Sequence, residues 1–127
     1  ATFQTTVVTR SEYFGLFNRS RHTANFKILY DNEKTGWNTY IRLVYRGKFG
    51  YGDVNGDNIA DDDAEMVKGF LRANAAIAKS ITGHFQLQAG VENVFGYTNA
   101  QKVPNIAGRL FFLNINYSFG KFFKNNK

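Results

Sequence analysis

The sequence predicts an all-β fold, built as an antiparallel β-sheet of about six long strands. Apolar and polar residues alternate with a period of two over most of the chain, which is typical of β-strands. Stretches rich in Gly, Asn, Asp and Ser separate the alternating runs, as expected for turns. Aromatic residues make up 17% of the 127 residues and Cys is absent. Disulfides and thiolate metal sites are therefore excluded.

The alternating runs define the predicted strands. The clearest run places Trp37, Ile41 and Leu43 on one side and Arg42 and Arg46 on the other. An α-helix over 65–80 is the alternative suggested by the alanine content there, but a glycine interrupts it and the alternation favours a strand. The six predicted strands cover 2–10, 25–30, 37–49, 70–79, 85–92 and 111–119.

The two faces of the predicted sheet differ sharply in chemistry, because successive side chains of a strand point to opposite sides. The apolar face is expected to carry Phe26, Ile28, Ile41, Leu43, Leu71, Ile77, Leu87, Val91, Leu113 and Ile115. The polar face is expected to carry Lys27, Arg42, Arg46, Arg72, Gln88, Asn114 and Asn116.

The connections between the strands are unequal in length, and this points to a membrane. Tight turns are predicted at 31–36 and 80–84, and long loops at 11–21, 47–69 and 97–107. In antiparallel order, the turns fall at one end of the sheet and the loops at the other, which is the layout of an outer-membrane β-barrel. Aromatic residues near the strand ends fit the girdles of such a barrel. A soluble β-sandwich with aromatic core residues is the alternative.

Six strands are too few for a closed barrel, since single-chain barrels begin at about eight strands. An open sheet in lipid would leave unpaired N–H and C=O groups at both edges. We therefore expect other strands to complete this sheet. In that arrangement the apolar face contacts lipid, and the lumen-facing residues include Arg42, Arg46, Arg72, Gln88 and Asn114.

The charges are distributed unevenly along the chain. There are 16 Lys and Arg against 10 Asp and Glu, which gives a net charge of +6, and six of the ten acids fall within 53–65. The spacing of the carboxylates and amides in this segment matches the oxygen ligands of a calcium loop. Asn58 replaces the usual glycine at position 6, and a solvated acidic loop tip is the alternative. The predicted calcium ligands are Asp53, Asn55, Asp57, Asp61 and Asp63, with Glu65 as the alternative closing acid.

The sequence gives little support for catalysis. His22 and His84 are expected at opposite ends of the sheet, too far apart to share a metal or a nucleophile. No nucleophile elbow or phosphate-binding glycine loop is present, so we expect no enzyme. A soluble basic β-domain that binds single-stranded nucleic acid is the alternative function, suggested by the sequence RGKFGYG at 46–52. The acidic segment that follows would repel phosphate, so we expect no nucleic-acid partner.

The C-terminal third resembles the closing segment of TonB-dependent outer-membrane receptors. In that family a strand ends in a polar residue, Asn, an aliphatic residue and Phe, and after a loop Gly-Arg opens a last strand that ends on an aromatic residue. Residues 16–30 are also similar to a segment in which an outer loop re-enters the barrel wall. The basic tail 120–127 departs from the family pattern. The matching residues are Glu92, Asn93, Val94, Phe95, Gly108, Arg109, Tyr117 and Phe119.

The resemblance implies that 1–127 is the C-terminal portion of a longer receptor in the outer membrane of a Gram-negative bacterium. Such receptors take up scarce solutes such as iron chelates, haem, cobalamin or glycans. The implied partners are the rest of the barrel, a plug domain, outer-membrane lipid and, through the plug, a periplasmic energy-coupling protein.

Overall fold

The computed structural model describes Val7, Thr9 and residues 14–119. The predicted first strand, 2–10, lies outside the described residues except for those first two positions, and so does the tail 120–127. Within the described part, the chain is mostly antiparallel β-sheet. The all-β prediction is confirmed, and the alternative of a helix over 65–80 is wrong.

Among the described residues, seven strands form two sheets. The larger sheet has five strands in the order β1-β2-β5-β6-β7, and β3 and β4 form a small hairpin that is inserted between β2 and β5. A short 3-10 turn at Asp63–Glu65 directly precedes β4. The strands are β1 Thr23–Asn32, β2 Trp37–Arg46, β3 Phe49–Gly50, β4 Met66–Val67, β5 Phe70–Thr82, β6 Phe85–Glu92 and β7 Leu110–Tyr117.

The two ends of the large sheet differ as the sequence predicts. The connections at 33–36 and 83–84 are tight and lie at the same end, which we call the turn end. Residues 47–69 and 93–109 connect strands at the opposite end, which we call the loop end. No helix within the described residues is long and apolar enough to cross a membrane.

The pairing register brings the apolar residues of all five strands to one face. One row across the sheet reads Ile28, Ile41, Ala75, Val91 and Phe111, each directly opposite the next. Because directly paired residues share a face, the register places all ten predicted apolar residues on one side and all seven predicted polar residues on the other. We call these sides the apolar face and the polar face.

No second layer of described residues covers the apolar face. Phe26 is 58% exposed and Leu113 is 65% exposed, although both lie in the middle of strands. Within the part of the chain that the structure describes, β1 and β7 are the edges of the sheet and each pairs on one side only. The sheet is therefore open.

One predicted strand ends earlier than the alternation suggested. The run 37–49 was expected as a single strand, but β2 ends at Arg46 and Phe49 begins β3. Gly47 lies in the break, where a β-carbon would be 3.0 Å from the Ser20 hydroxyl and 3.1 Å from the His22 carbonyl. Glycine suits this close approach, and the chain leaves the sheet at this point.

A compact core lies at the loop end. The loops 47–69 and 93–109 pack against each other, and we call them together the loop cap. Phe49 is 1% exposed, and Asn18 of the preceding segment donates its backbone N–H to Gly50 at 2.6 Å. The core consists of Phe49, Val67, Phe70 and Val103, with Tyr51, Tyr97 and Ile106 packed against it.

Candidate functional site

Asn93 closes the loop 93–109 from inside. Its side chain is buried and its backbone φ is 51°, a left-handed conformation that asparagine adopts more readily than most residues. Its amide Nδ2 donates to the carbonyls of Tyr97 and Ala107, each at 2.8 Å. Its Oδ1 accepts the backbone N–H of Tyr97 at 3.1 Å. One side chain thus joins both arms of the loop.

Arg109 joins the same loop from its other end. Its Nε donates to the carbonyl of Val94 at 2.8 Å. The Asn-aliphatic-Phe and Gly-Arg elements, which lie far apart in sequence, are therefore in direct contact. Phe95 and Phe119 are exposed, and the ring of Phe119 lies edge-on to that of Tyr117 at 5.5 Å.

Lys102 connects the two loops of the cap. Its Nζ donates to the carbonyls of Ala64 at 2.8 Å and Met66 at 2.7 Å, and it lies 5.1 Å from the centre of the Tyr51 ring. These partners all belong to the loop 47–69. The position of one loop therefore fixes the position of the other.

A basic cleft of about 740 Å³ lies between these loops. It has three lysines and a single carboxylate, so its net charge is positive. Tyr97, on one wall, is stacked on Phe70 with the ring centres 4.2 Å apart. The cleft is lined by Lys48, Asp63, Met66, Lys68, Tyr97, Asn99 and Lys102.

The carboxylate of Asp63 lies within the field of these lysines. Lys48 contacts it at 3.0 Å, and the Asp63 side chain is 95% exposed. The hydrogen bond from Lys48 and the charge of that lysine hold the pKa of Asp63 below its ordinary value, and the charges of Lys68 and Lys102 add to this effect. The cleft therefore stabilises an anionic group.

Glu65 organises the acidic segment from within. It is fully buried, with 0% exposure. Its Oε1 accepts the backbone N–H groups of Val54 at 2.8 Å and Asn55 at 3.3 Å, and its Oε2 accepts that of Asp61 at 3.4 Å. These hydrogen bonds, led by the one from Val54, hold the pKa of Glu65 below its ordinary value.

The structure brings together part of the predicted calcium set. Carboxylate oxygens of Asp53, Asp57 and Glu65 lie within 4.8 Å of one another. Asp63 instead pairs with Lys48, and Asp61 does not belong to this group. Hard carboxylate oxygens are the ligand type that calcium prefers, and the three carboxylates fit it. Calcium binding stays a prediction.

Asparagine side chains and backbone conformation shape the same segment. Asp53 accepts the backbone N–H groups of Gly56 at 2.6 Å and Asn58 at 3.0 Å. Asn58 has a φ of 64°, the left-handed conformation for which a calcium loop usually needs glycine. Asn55 in turn accepts the N–H of Asp57 at 3.0 Å, and its amide donates to the Asp57 carboxylate at 3.0 Å.

The residues predicted to face a lumen all lie on the polar face. The Arg42 Nε donates to the Asn25 side chain at 3.1 Å, and Asn114 donates to Gln88 at 3.3 Å. The guanidinium of Arg46 lies 3.7 Å above the ring of Phe49. The Nε of Arg72 is buried and has no hydrogen-bond partner among the described residues.

The remaining candidates do not converge. His22 precedes β1 at the loop end, whereas His84 lies in a tight turn at the other end. The segment 46–52 that suggested nucleic-acid stacking has its central Phe49 buried in the core of the loop cap. That ring therefore has no surface on which a base could stack.

The sequence interpretation missed the lysines of the cleft. They are separated by up to 54 positions, and neither their spacing nor a motif marks them. The only available signal was the excess of basic residues around a concentrated acidic segment.

Comparisons with models of protein families, with characterised proteins and with solved structures found no match for this chain.

Proposed function

We propose that this chain forms part of the wall of an outer-membrane β-barrel, in a TonB-dependent receptor that takes up a scarce solute. The observation that carries the proposal is the exposed apolar face, which extends across all five strands of the large sheet. A soluble protein rarely leaves such a large contiguous apolar surface in water. Lipid contacts would stabilise it.

The dimensions of the apolar face suit a bilayer. Trp37 and Tyr45 lie on this face near the two ends of β2, and at a rise of about 3.3 Å per residue they are about 26 Å apart. The apolar band of a membrane barrel is about 25 Å tall. Lys79, on the same face, reaches the turn end, where its Nζ donates to the Thr35 carbonyl and lies 4.7 Å from the Trp37 ring centre. Such snorkelling is typical of membrane interfaces.

The edges and the polar face fit a wall segment. Each edge strand would pair with further barrel strands, since lipid leaves no solvent to satisfy free N–H and C=O groups. Arg42, Arg46 and Arg72 would face the lumen and a plug domain. In this orientation the loop cap lies on the outer side of the membrane, where the solute is first met.

Site-directed labelling tests the orientation of the sheet. The 127 residues contain no native Cys, so single cysteines can be introduced at Ile41 and Leu113 on the apolar face and at Arg42 and Asn114 on the polar face. Each apolar position is adjacent in sequence to a polar position, which serves as its matched control. Spin labels are attached in the full-length protein in lipid vesicles, and collision rates with oxygen and with a water-soluble nickel chelate are measured.

We expect oxygen to reach the labels at 41 and 113, and the nickel chelate to reach those at 42 and 114. Equal access of the nickel chelate to neighbouring positions would contradict a lipid-facing wall. Protection of the apolar positions from both reagents would indicate a covering protein layer instead.

Gene deletion tests the transport role. Growth is measured with an iron chelate, haem, cobalamin or a glycan as the only source of the limiting nutrient. We expect a growth defect with one class that is restored by the intact gene. Unchanged growth with all four would contradict uptake of these solutes.

A further inference from the structure

We propose that the basic cleft of the loop cap binds an anionic ligand that carries two or more carboxylate-like groups. This inference rests on the proposed function in one respect: it identifies the ligand as the transported solute. The binding site itself depends only on the cleft. The positive charge of the cleft favours an acidic chelate or an acidic glycan over a neutral solute.

The cleft has the size and charge for such a ligand. Its volume of about 740 Å³ lies within the range of small-molecule sites, roughly 300–1,000 Å³. Lys48, Lys68 and Lys102 line it against the single carboxylate of Asp63. Lys68 is exposed and makes no ion pair or hydrogen bond within the described part of the chain, so its ammonium group is available.

Two residues of the cleft wall, Lys102 and Tyr97, are held in place before any ligand binds. Lys102 is fixed by backbone carbonyls of the facing loop. Tyr97 is fixed twice, through its backbone by Asn93 and through its ring by Phe70. Because these groups are already ordered, binding costs little additional side-chain entropy.

Asp63 marks the position that a ligand carboxylate would take. Its exposed carboxylate is bound by Lys48 and lies within the field of Lys68 and Lys102. Exposed ion pairs of this kind contribute little to stability. A multivalent ligand would therefore displace Asp63 easily, and removal of the Asp63 charge would favour the ligand.

The experiment uses benzene-1,3,5-tricarboxylate as the probe and its neutral tricarboxamide as the matched control. Binding to the full-length protein in detergent is measured by calorimetry. We expect the tricarboxylate to bind, with an affinity that falls as salt is raised, because exposed charges are screened. The tricarboxamide should give no heat of binding.

Three variants locate the site. Lys68→Gln should weaken the tricarboxylate about tenfold, since it removes one charge-assisted hydrogen bond. Asp63→Asn should have the opposite effect and raise the affinity for the tricarboxylate several-fold. Lys34→Gln, in the β1–β2 turn at the far end of the sheet, should leave the affinity unchanged.

Equal binding of the two probes, or equal effects of Lys68→Gln and Lys34→Gln, would overturn the proposal. The two proposals can fail independently, because tricarboxylate binding tests the cleft and the spin labels test the membrane role. Spin labels that do not alternate, together with tricarboxylate binding in the cleft, would retain the anion site and reject the membrane role. Alternating labels without tricarboxylate binding would do the reverse.

Discussion

The loop cap buries a cluster of apolar residues, whereas the large sheet exposes the apolar residues of one face. In the cap, Phe49 is 1% exposed and packs with Val67 and Val103, and with Phe70 at the start of β5. In the sheet, Phe26 is 58% exposed on a face that no described residue covers. The cap therefore has a core of its own, whereas the described residues leave the apolar face of the sheet uncovered.

This difference indicates where each region obtains its stability. The sheet is held by backbone hydrogen bonds between neighbouring strands, which form whatever lies against its faces. The hydrophobic contribution of the apolar face arises only when a medium or a partner removes it from water. The cap gains this contribution from contacts within the chain.

Replacement of a phenylalanine in each region tests the comparison with the largest expected effect. Phe49→Ala should lower the free energy of cap opening by about 3–5 kcal/mol, because it leaves a cavity in a packed core. Phe26→Ala should leave cap opening unchanged. Hydrogen exchange of the Tyr51 amide, which donates to the Glu65 carbonyl at 2.9 Å, measures this quantity. Similar exchange in both variants would mean that the cap is not an independent core.

A charge on each face of the sheet tests the dependence on lipid. Ile41→Arg should lower the free energy of unfolding in lipid vesicles by about 2–4 kcal/mol, the cost of arginine facing mid-bilayer lipid. Val44→Arg places the same charge on the polar face of the same strand and should cost much less. Urea titration of the full-length protein gives both values. Equal costs would remove the distinction between the faces.

The loop closed by Asn93 offers a test within the cap. Asn93→Asp keeps the acceptor for the Tyr97 N–H but removes the donors to the carbonyls of Tyr97 and Ala107. Loss of these two part-buried hydrogen bonds should cost about 1–3 kcal/mol. Asn114→Asp, on the exposed polar face, is the control. Limited proteolysis of 93–109 should accelerate only in the first variant, and resistance in both would contradict a closing role.

The buried carboxylate of Glu65 predicts how the cap responds to pH. Its pKa is lowered in the folded cap by backbone donors, led by Val54. Its contribution is therefore present above the ordinary value of 4.5 and is lost as pH falls through the lower folded pKa. The protection factor of the Val54 amide, which is the exchange rate of an unstructured amide at the same pH divided by its own, should fall in acid. Glu65→Gln should weaken the cap at neutral pH and reduce the acid response, while Glu33→Gln in the β1–β2 turn should retain it.

Calcium binding to the acidic segment is the smallest expected effect. An imperfect site should bind at about 10⁻⁴–10⁻³ M. The Asp53→Ala, Asp57→Ala double variant should lose this binding, whereas Asp61→Ala should retain it if the converging carboxylates are the ligands. Calorimetric titration of the full-length protein distinguishes the two. Identical titrations of the unaltered protein and the double variant would leave only a solvated acidic loop.

The sequence was a reliable guide to the sheet for a local reason. Alternation assigns each side chain to a face without knowledge of its neighbours, since successive residues of any strand point in opposite directions. The positions of Ile41 and Arg42 in the strand are therefore enough to place them on opposite faces. The same rule failed at Phe49, because the chain leaves the sheet at Gly47, beside the backbone of His22, and sequence spacing does not reveal that contact.

The composition of the acidic segment was visible, but its internal order was not. The sequence indicated a carboxylate cluster and left the choice of closing acid open. Folding buries Glu65 under backbone donors and directs Asp63 to Lys48. These two acids are two positions apart, yet their environments differ because the 3-10 turn presents them to different sides of the loop.

The sequence by itself determined the five strands of the large sheet, the separation of two chemically distinct faces, and the end at which the long loops lie. Each of these follows from short-range periodicity and from turn-forming residues. Only the tertiary structure decided the core of the loop cap, the contact between Arg109 and Val94, and the convergence of Lys48, Lys68 and Lys102 on one cleft. Those features join residues that are distant along the chain, either in two loops or at the two ends of one loop, so they depend on how antiparallel pairing brings the loop ends together and not on any local pattern.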